Sequence, residues 1–210
     1  MTMTIVAAPP TPIERFNGLA FRVLLDCLAR PGKVGHLPPP PFADLPPLPD
    51  GTPPNATAVA AGMSLLDQTV SFVHAAGEEW LPVDHPLTRW IALRTNARPV
   101  EASAADFALL HDPAGTALFG ELTAGSLLYP ERSCTVFLCV PEIAPNGETL
   151  CLRGPGIATT ATVGLRGVAP TELAALAARP SQFPLGIDLF VIDQQGRCLG
   201  LPRTTQIEVI

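Results

Sequence analysis

The chain has 210 residues, 47% of them hydrophobic and only 15% charged, with a formal net charge of −6. That length fits one large domain or two small ones, and the apolar share supports a sizeable core. The acidic balance argues against a nucleic-acid footprint, and no apolar stretch is long enough to span a bilayer. The N-terminal MTMTIVAAPP lacks the basic segment of a signal peptide. The expected location is therefore the cytoplasm. So few charges also imply a surface partly covered by partners, and predict a homodimer.

Residues 1–10 are expected to be a loose arm. Thr11-Pro12-Ile13-Glu14 matches a capping box with Pro12 in the first helical position. Asn17 is a rival cap, because Gly18 weakens a helix that starts earlier. Ala20, Val23, Leu24, Cys27 and Leu28 then share one helical face, and Arg22, Asp26 and Arg30 the other. Pro31-Gly32 ends this helix. Residues 37–54 hold nine prolines, which forbids a regular helix or a central strand. A rigid extended connector is expected there, inserted within a single domain, since the segments on either side are too small to fold alone.

Asn55 is placed to cap a helix running to about Asp67, with Val59, Met63 and Leu66 inward. Thr69–Ala75 alternates as a strand, which makes His74 a packed or edge residue. Asp84 is read as the cap of a short helix through Trp90, with Asn96 able to take a left-handed terminal position. Ala105–Leu110 reads as a strand, and residues 116–124 have no single reading. CTVFLCV, Cys134–Val140, is the strongest buried-strand run in the chain. Asn146-Gly147 predicts a hairpin, with Leu150–Leu152 returning beside that strand. Thr171 is read as capping a helix from Glu172 to Arg179, closed by Pro180. Ile187–Ile192 is a nearly continuous apolar run, the mark of a strand buried on both faces. Asp193–Gly196 turns it into a short strand through Leu201. Interspersed strands and helices with one antiparallel hairpin predict a single α/β domain, residues 1–210, with a mixed sheet flanked by helices.

The chemistry-bearing residues are sparse. Five cysteines are scattered without a paired spacing and read as reduced core residues. The four histidines lack ligand spacing, so no metal is expected. There is no phosphate-cradling loop and no nucleophile elbow. Gly154-Pro155-Gly156 starts like a dinucleotide fingerprint, but Thr159 stands where the third glycine belongs, and a tight turn is the simpler reading. Lys33 is the one lysine among 13 basic residues and sits in a turn. Pyridoxal phosphate, which needs a Schiff-base lysine, is therefore not expected, nor is any other cofactor. Two arginines remain as candidates for gripping an anion. Arg203 follows the last strand beside Thr204 and Thr205. Arg153 precedes the Gly154–Gly156 turn, whose glycines would let a second loop come close. In open α/β sheets ligands collect at strand-end loops. The rival reading has Arg203 clamp a carboxylate such as Asp188 within the fold.

The motifs also occur in a telling order. Phe21-Arg22 is followed by Leu28–Gly32, Leu65-Leu66-Asp67, Tyr129–Ser133, Gly154–Ile157, Pro184–Asp188 and Leu201–Thr205. From about Phe16 to the C-terminus this ordered set resembles the H subunit of the bacterial carbon–phosphorus lyase system. It departs from that family at Cys134, where alanine is usual, and at Arg94-Thr95-Asn96, where a His-Thr-Gly turn is common. The proline run is a local elaboration. The resemblance implies a fold like that of pyridoxal-phosphate-dependent transferases without their cofactor site. It further implies a homodimer that assembles with the G, I and J subunits. That complex joins a phosphonate to the ribose of a nucleoside triphosphate, displacing the base; another subunit then breaks the carbon–phosphorus bond by radical chemistry. The resemblance carries over no catalytic residue. Two main expectations follow: a non-catalytic assembly subunit, or a subunit that binds phosphonate or nucleotide through Arg203, Thr204, Thr205 and Arg153. A stand-alone enzyme is the third.

Overall fold

The computed structural model describes residues 9–210; most of the expected N-terminal arm lies outside them. Helix α1 spans Pro12–Ala29, and Thr11 rather than Asn17 caps it. The reciprocal bonds of the capping box are both made, Glu14 N to Thr11 Oγ1 and Thr11 N to Glu14 Oε2. These satisfy two otherwise orphaned donors at the helix start, which outweighs the cost of Gly18 within the helix. Phe16, Ala20, Leu24 and Cys27 form its buried stripe.

The remaining elements are β1 (Val34–His36), α2 (Ala56–Met63), β2 (Ser71–Ala76), β3 (Glu79–Trp80), α3 (Pro86–Thr95), β4 (Arg98–Pro99) and β5 (Phe107–Leu110). After the 3-10 turns of Pro113–Glu121 come β6 (Thr135–Val140), β7 (Glu142–Arg153), β8 (Ala161–Arg166), α4 (Pro170–Ala177), β9 (Asp188–Asp193), β10 (Arg197–Leu201) and β11 (Gln206–Val209). The main sheet runs β1-β10-β9-β6-β5-β2-β3, with β4 also on β2. Strands β9, β6, β5 and β2 are parallel, and β1, β10 and β3 are antiparallel additions. The fold is therefore α/β with a mixed sheet, as the sequence predicts.

The central strands serve two cores at once, because successive side chains point to opposite faces. Val136, Leu138, Val140, Leu189 and Val191 face a core completed by α4 and by a second sheet, β11-β7-β8. Phe137, Cys139, Phe190 and Ile192 face the other core, under α1, α2 and α3. Phe137 and Phe190 are register partners and stack at 5.1 Å. The proline-rich segment joins this second core. Leu37 and Leu48 are buried, and the Phe42 ring packs edge-on to Trp90 at 4.9 Å.

Several local expectations are corrected. Leu150–Leu152 does not return beside Cys134–Val140; it lies in β7 and pairs with β8 and β11. Asn146-Gly147 makes no hairpin, since neither residue has the positive φ that a two-residue turn needs. Ile143 and Glu148 both oppose Leu165, so the residues between them form a bulge, and Asn146 accepts from Arg166. The turn that does reverse the chain is Gly154–Gly156, with both glycines at positive φ. Helix α3 is capped by His85 and not Asp84, and α4 starts after Ala169 and not Thr171. In both, proline occupies the first turn and fixes the start. In α4 the Glu172 carboxylate accepts from Ala169 N and replaces a capping hydroxyl. Helix α2 stops at Met63, where Ser64 Oγ donates to Ala61 O.

Helix α1 sits unusually close to the sheet. A Cβ on Gly200 would lie 2.5–2.6 Å from backbone atoms of Cys27 and Leu28. Gly200→Ala should therefore force α1 off β10 and cost about 1–3 kcal/mol of stability. Gly120→Ala, where nothing lies within 4 Å of the new carbon, should change the urea midpoint little. Equal midpoints for the two variants would refute the close-packing account.

Candidate functional site

The loop after β10 is built around Arg203. Its Nη2 donates to Asp188 Oδ2 at 2.5 Å, and its Nε reaches both Asp188 oxygens at 3.2 Å. Its backbone N–H adds a bond to Asp188 Oδ1 at 2.7 Å. Nη1 donates to the carbonyls of Pro130 at 2.8 Å and Pro184 at 3.3 Å. All three guanidinium nitrogens are thus engaged within the fold. The fork geometry of arginine suits this, because one planar group holds a carboxylate and two carbonyls together. Two loops, around residues 130 and 184, are thereby tied to the start of β9.

The other predicted residues are only partly gathered. Thr204 and Gly154 touch, since a Cβ on Gly154 would stand 2.7 Å from Thr204 O. Thr205 is buried, donates its N–H to Pro202 O, and has a hydroxyl with no partner. Arg153 is exposed and its Nη1 lies 4.0 Å from Glu208. Gly156 backs onto Ala29 O and the Pro31 ring at the end of α1. The cause is β11, which the sequence reading did not place. Gln206 pairs with Arg153, so the chain leaves the Arg-Thr-Thr loop straight into the small sheet.

Arg179, in sequence only the end of a helix, belongs to the same loop cluster. It is 3% exposed, and its Nη2 donates to Pro202 O at 2.8 Å and Thr205 O at 3.0 Å. Its Nε and Nη1 have no partner. Burial pulls its pKa down to about 10, opposed by nearby Asp188. A basic residue just before a proline looks, in sequence, like a favourable charge at a helix end; nothing local shows that it is buried.

A second polar cluster lies beneath α3. The Thr88 hydroxyl donates to Pro82 O at 2.8 Å, so it must accept from His74 Nε2, 2.6 Å away. His74 Nδ1 then accepts from His111 Nε2 at 3.1 Å, which leaves His111 Nδ1 as a bare, buried acceptor. This order of bonds requires a neutral His74 ring, because its Nδ1 must accept. Burial lowers both pKa values, that of His111 to about 4. Among the described residues no three His, Cys, Asp or Glu side chains are placed to hold a metal, and no helix is long and apolar enough to cross a membrane.

These features define an α/β protein whose strand-end loops are locked by internal arginines. The chain belongs to the bacterial phosphonate metabolism protein (PhnH) family, whose model matches residues 16–208. It is 34% identical over 189 residues to the alpha-D-ribose 1-methylphosphonate 5-triphosphate synthase subunit PhnH of Rhizobium meliloti (strain 1021), covering 90% of this chain and 88% of that one. It is 29% identical over 190 residues to the putative C-P lyase subunit protein HtxG of Stutzerimonas stutzeri, covering 90% of this chain and 85% of that one.

Two outcomes follow. Arg203→Ala leaves Asp188 without its counter-ion and two loops untied, and should lower stability by about 2–4 kcal/mol, given partial exposure of the pair; an unchanged melting temperature would contradict the clamp. For the histidines, the unfolded chain takes up protons below about pH 6.5 while the folded His111 waits until about 4. Stability should thus be flat above pH 6.5 and fall as pH drops toward 4, by about 3 kcal/mol for His111 alone. Urea midpoints at pH 7.5 and 5.0, a window in which ordinary carboxylates stay ionised, should register about 2 kcal/mol of this. The drop should shrink in His111→Gln.

Proposed function

We propose that this chain is a non-catalytic assembly subunit of the carbon–phosphorus lyase core complex in phosphonate catabolism. In this reading it supports the transfer of a phosphonate onto the ribose of a nucleoside triphosphate. It does so in the cytoplasm, as a homodimer, beside the G, I and J subunits. The family membership and the subunit names of both relatives support the role.

The observation that carries the reading is an apolar surface held in place by the Arg203 clamp. Leu127 and Leu128 are 77% and 84% exposed, and Phe183 is 74% exposed. Pro130 O and Pro184 O share one nitrogen of Arg203, so the loops bearing these residues lie side by side. Large side chains fixed this far into water fit the core of a protein interface. The partner we assign there is another subunit of the complex. Arg203 in this reading is an internal fastener, which agrees with its saturated donors. The transferase-like fold expected of the family is part of the same reading. Lys33, the lone lysine, is spent on a surface pair with Asp26 at 2.7 Å, which fits a chain without pyridoxal phosphate.

Affinity purification of the tagged chain from its native host, with partners identified by mass spectrometry, tests the role. The G, I and J subunits should co-purify, and Leu128→Asp with Phe183→Asp should reduce their recovery about tenfold or more while leaving the melting temperature close to wild type. Recovery of the chain alone would overturn the assembly reading.

A further inference from the structure

Arg179 has a charge that the fold itself does not answer. Asp188, the carboxylate whose charge acts on it, is already taken by four hydrogen bonds from Arg203. Two buried or half-buried guanidiniums therefore share one carboxylate, and one positive charge is left over. Two of the three Arg179 nitrogens make no hydrogen bond, and the buried Thr205 hydroxyl, on the residue whose carbonyl Arg179 holds, makes none either. Burying a cation is costly unless it is paired and hydrogen-bonded. An unanswered charge of this kind points to a counter-ion from outside the chain.

The surroundings say what kind. Arg179 lines a cleft of about 400 Å³ bounded by Ala124, Ser181, Gln182, Leu185 and Gly186. No carboxylate lines it, so an incoming anion meets no like charge. Gly186 has positive φ, and a Cβ there would lie 2.6 Å from Pro180 O and 3.0 Å from Ser181; only glycine lets the 180–181 segment fold this closely over the loop. A planar carboxylate prefers two parallel N–H groups on one edge of the guanidinium. Both two-nitrogen edges of Arg179 include Nη2, whose hydrogens already go to Pro202 O and Thr205 O. What remains is a set of diverging single donors, which suits an anion with acceptors in several directions.

We propose that this cleft is a binding site for a tetrahedral oxyanion, a phosphate or phosphonate group, with Arg179 as its charge and Ser181 at its rim. Nε and Nη1 are closed off from solvent, so the anion reaches them only as the groups that cover them shift. The site adjoins Arg203, whose own guanidinium donors are all engaged elsewhere, and it does not depend on the assembly role.

Calorimetric titration of the full chain with inorganic phosphate, methylphosphonate and acetate tests this. Phosphate or methylphosphonate should bind and acetate should not; which of the two binds more tightly identifies the natural group. Arg179→Met should weaken binding about ten- to a hundredfold, the value of one or two charge-assisted bonds. Arg179 also holds two carbonyls, so that variant could fail to fold. Ser181→Asp, which supplies the missing carboxylate from within, should then decide. It should abolish phosphate binding and raise the melting temperature. No binding of either tetrahedral anion by the wild type, acetate binding as tight as phosphate, or undiminished binding by Ser181→Asp would each overturn the assignment.

Discussion

The end of the molecule that bears its loops depends on one ion pair. Asp188 opens β9, and Arg203 stands two residues past the end of β10, the strand that follows β9. Joining them pins the start of a central strand to the exit of its antiparallel neighbour. The same guanidinium then reaches loops that arrive from residues 130 and 184. Loops are ordinarily the mobile, variable part of an α/β fold. Here a charge-assisted fork of several bonds replaces the ladder hydrogen bonds that the loops cannot make, and so holds apolar side chains out in water.

A second polar anchor works at the other end of β9. Asp193 is fully buried, and its carboxylate accepts from the backbone of Ile143, Gln195 and Arg197 and from Arg197 Nε. Its carbonyl accepts from Asn55, the residue that caps α2. One carboxylate thereby shapes the turn into β10, sets the first residues of β7, and through its backbone aligns a helix start. Four donors satisfy the buried charge, which is the condition for keeping it inside. Arg179 lacks that condition, and the contrast with Asp193 in the same fold is what makes its environment informative.

The two cores explain why the chain is so apolar. Central strands buried on both faces need apolar residues at every position, and the sheet must then be covered twice. Helices α1, α2 and α3 with the proline-rich segment supply one cover, and α4 with the small sheet supplies the other. The proline run is well suited to this task. It cannot pair as a strand or coil as a helix, yet Leu37, Phe42 and Leu48 still reach the core from an extended backbone. Apolar side chains left in water include Phe21 and Leu25, one turn apart on α1, Leu93 on α3, and those of the clamped loops.

The sequence by itself determined whatever depends on neighbouring residues. The capping box at Thr11, the Asn55 cap, the left-handed Asn96, the buried runs of β6 and β9, and the Asp193–Gly196 turn are all local in origin, and all are found. Ordered motifs also carried the family, and Asp188 was one carboxylate within reach of the clamp reading of Arg203. Tertiary structure decided the rest. Asn146-Gly147 has the chemistry of a hairpin, but β8 pairs with β7 on both sides of it and makes it a bulge. Strand β11 has too few residues to announce itself and exists because β7 offers an edge. Arg179 looks like any cation at a helix end; its burial arises from elements as distant as Ala124 and Thr205. Likewise His74 and His111 are separated by 37 residues and meet because β2 and β5 are parallel neighbours. Local backbone preference is written in consecutive residues, whereas burial and hydrogen-bond partnership depend on segments that only the folded sheet brings together.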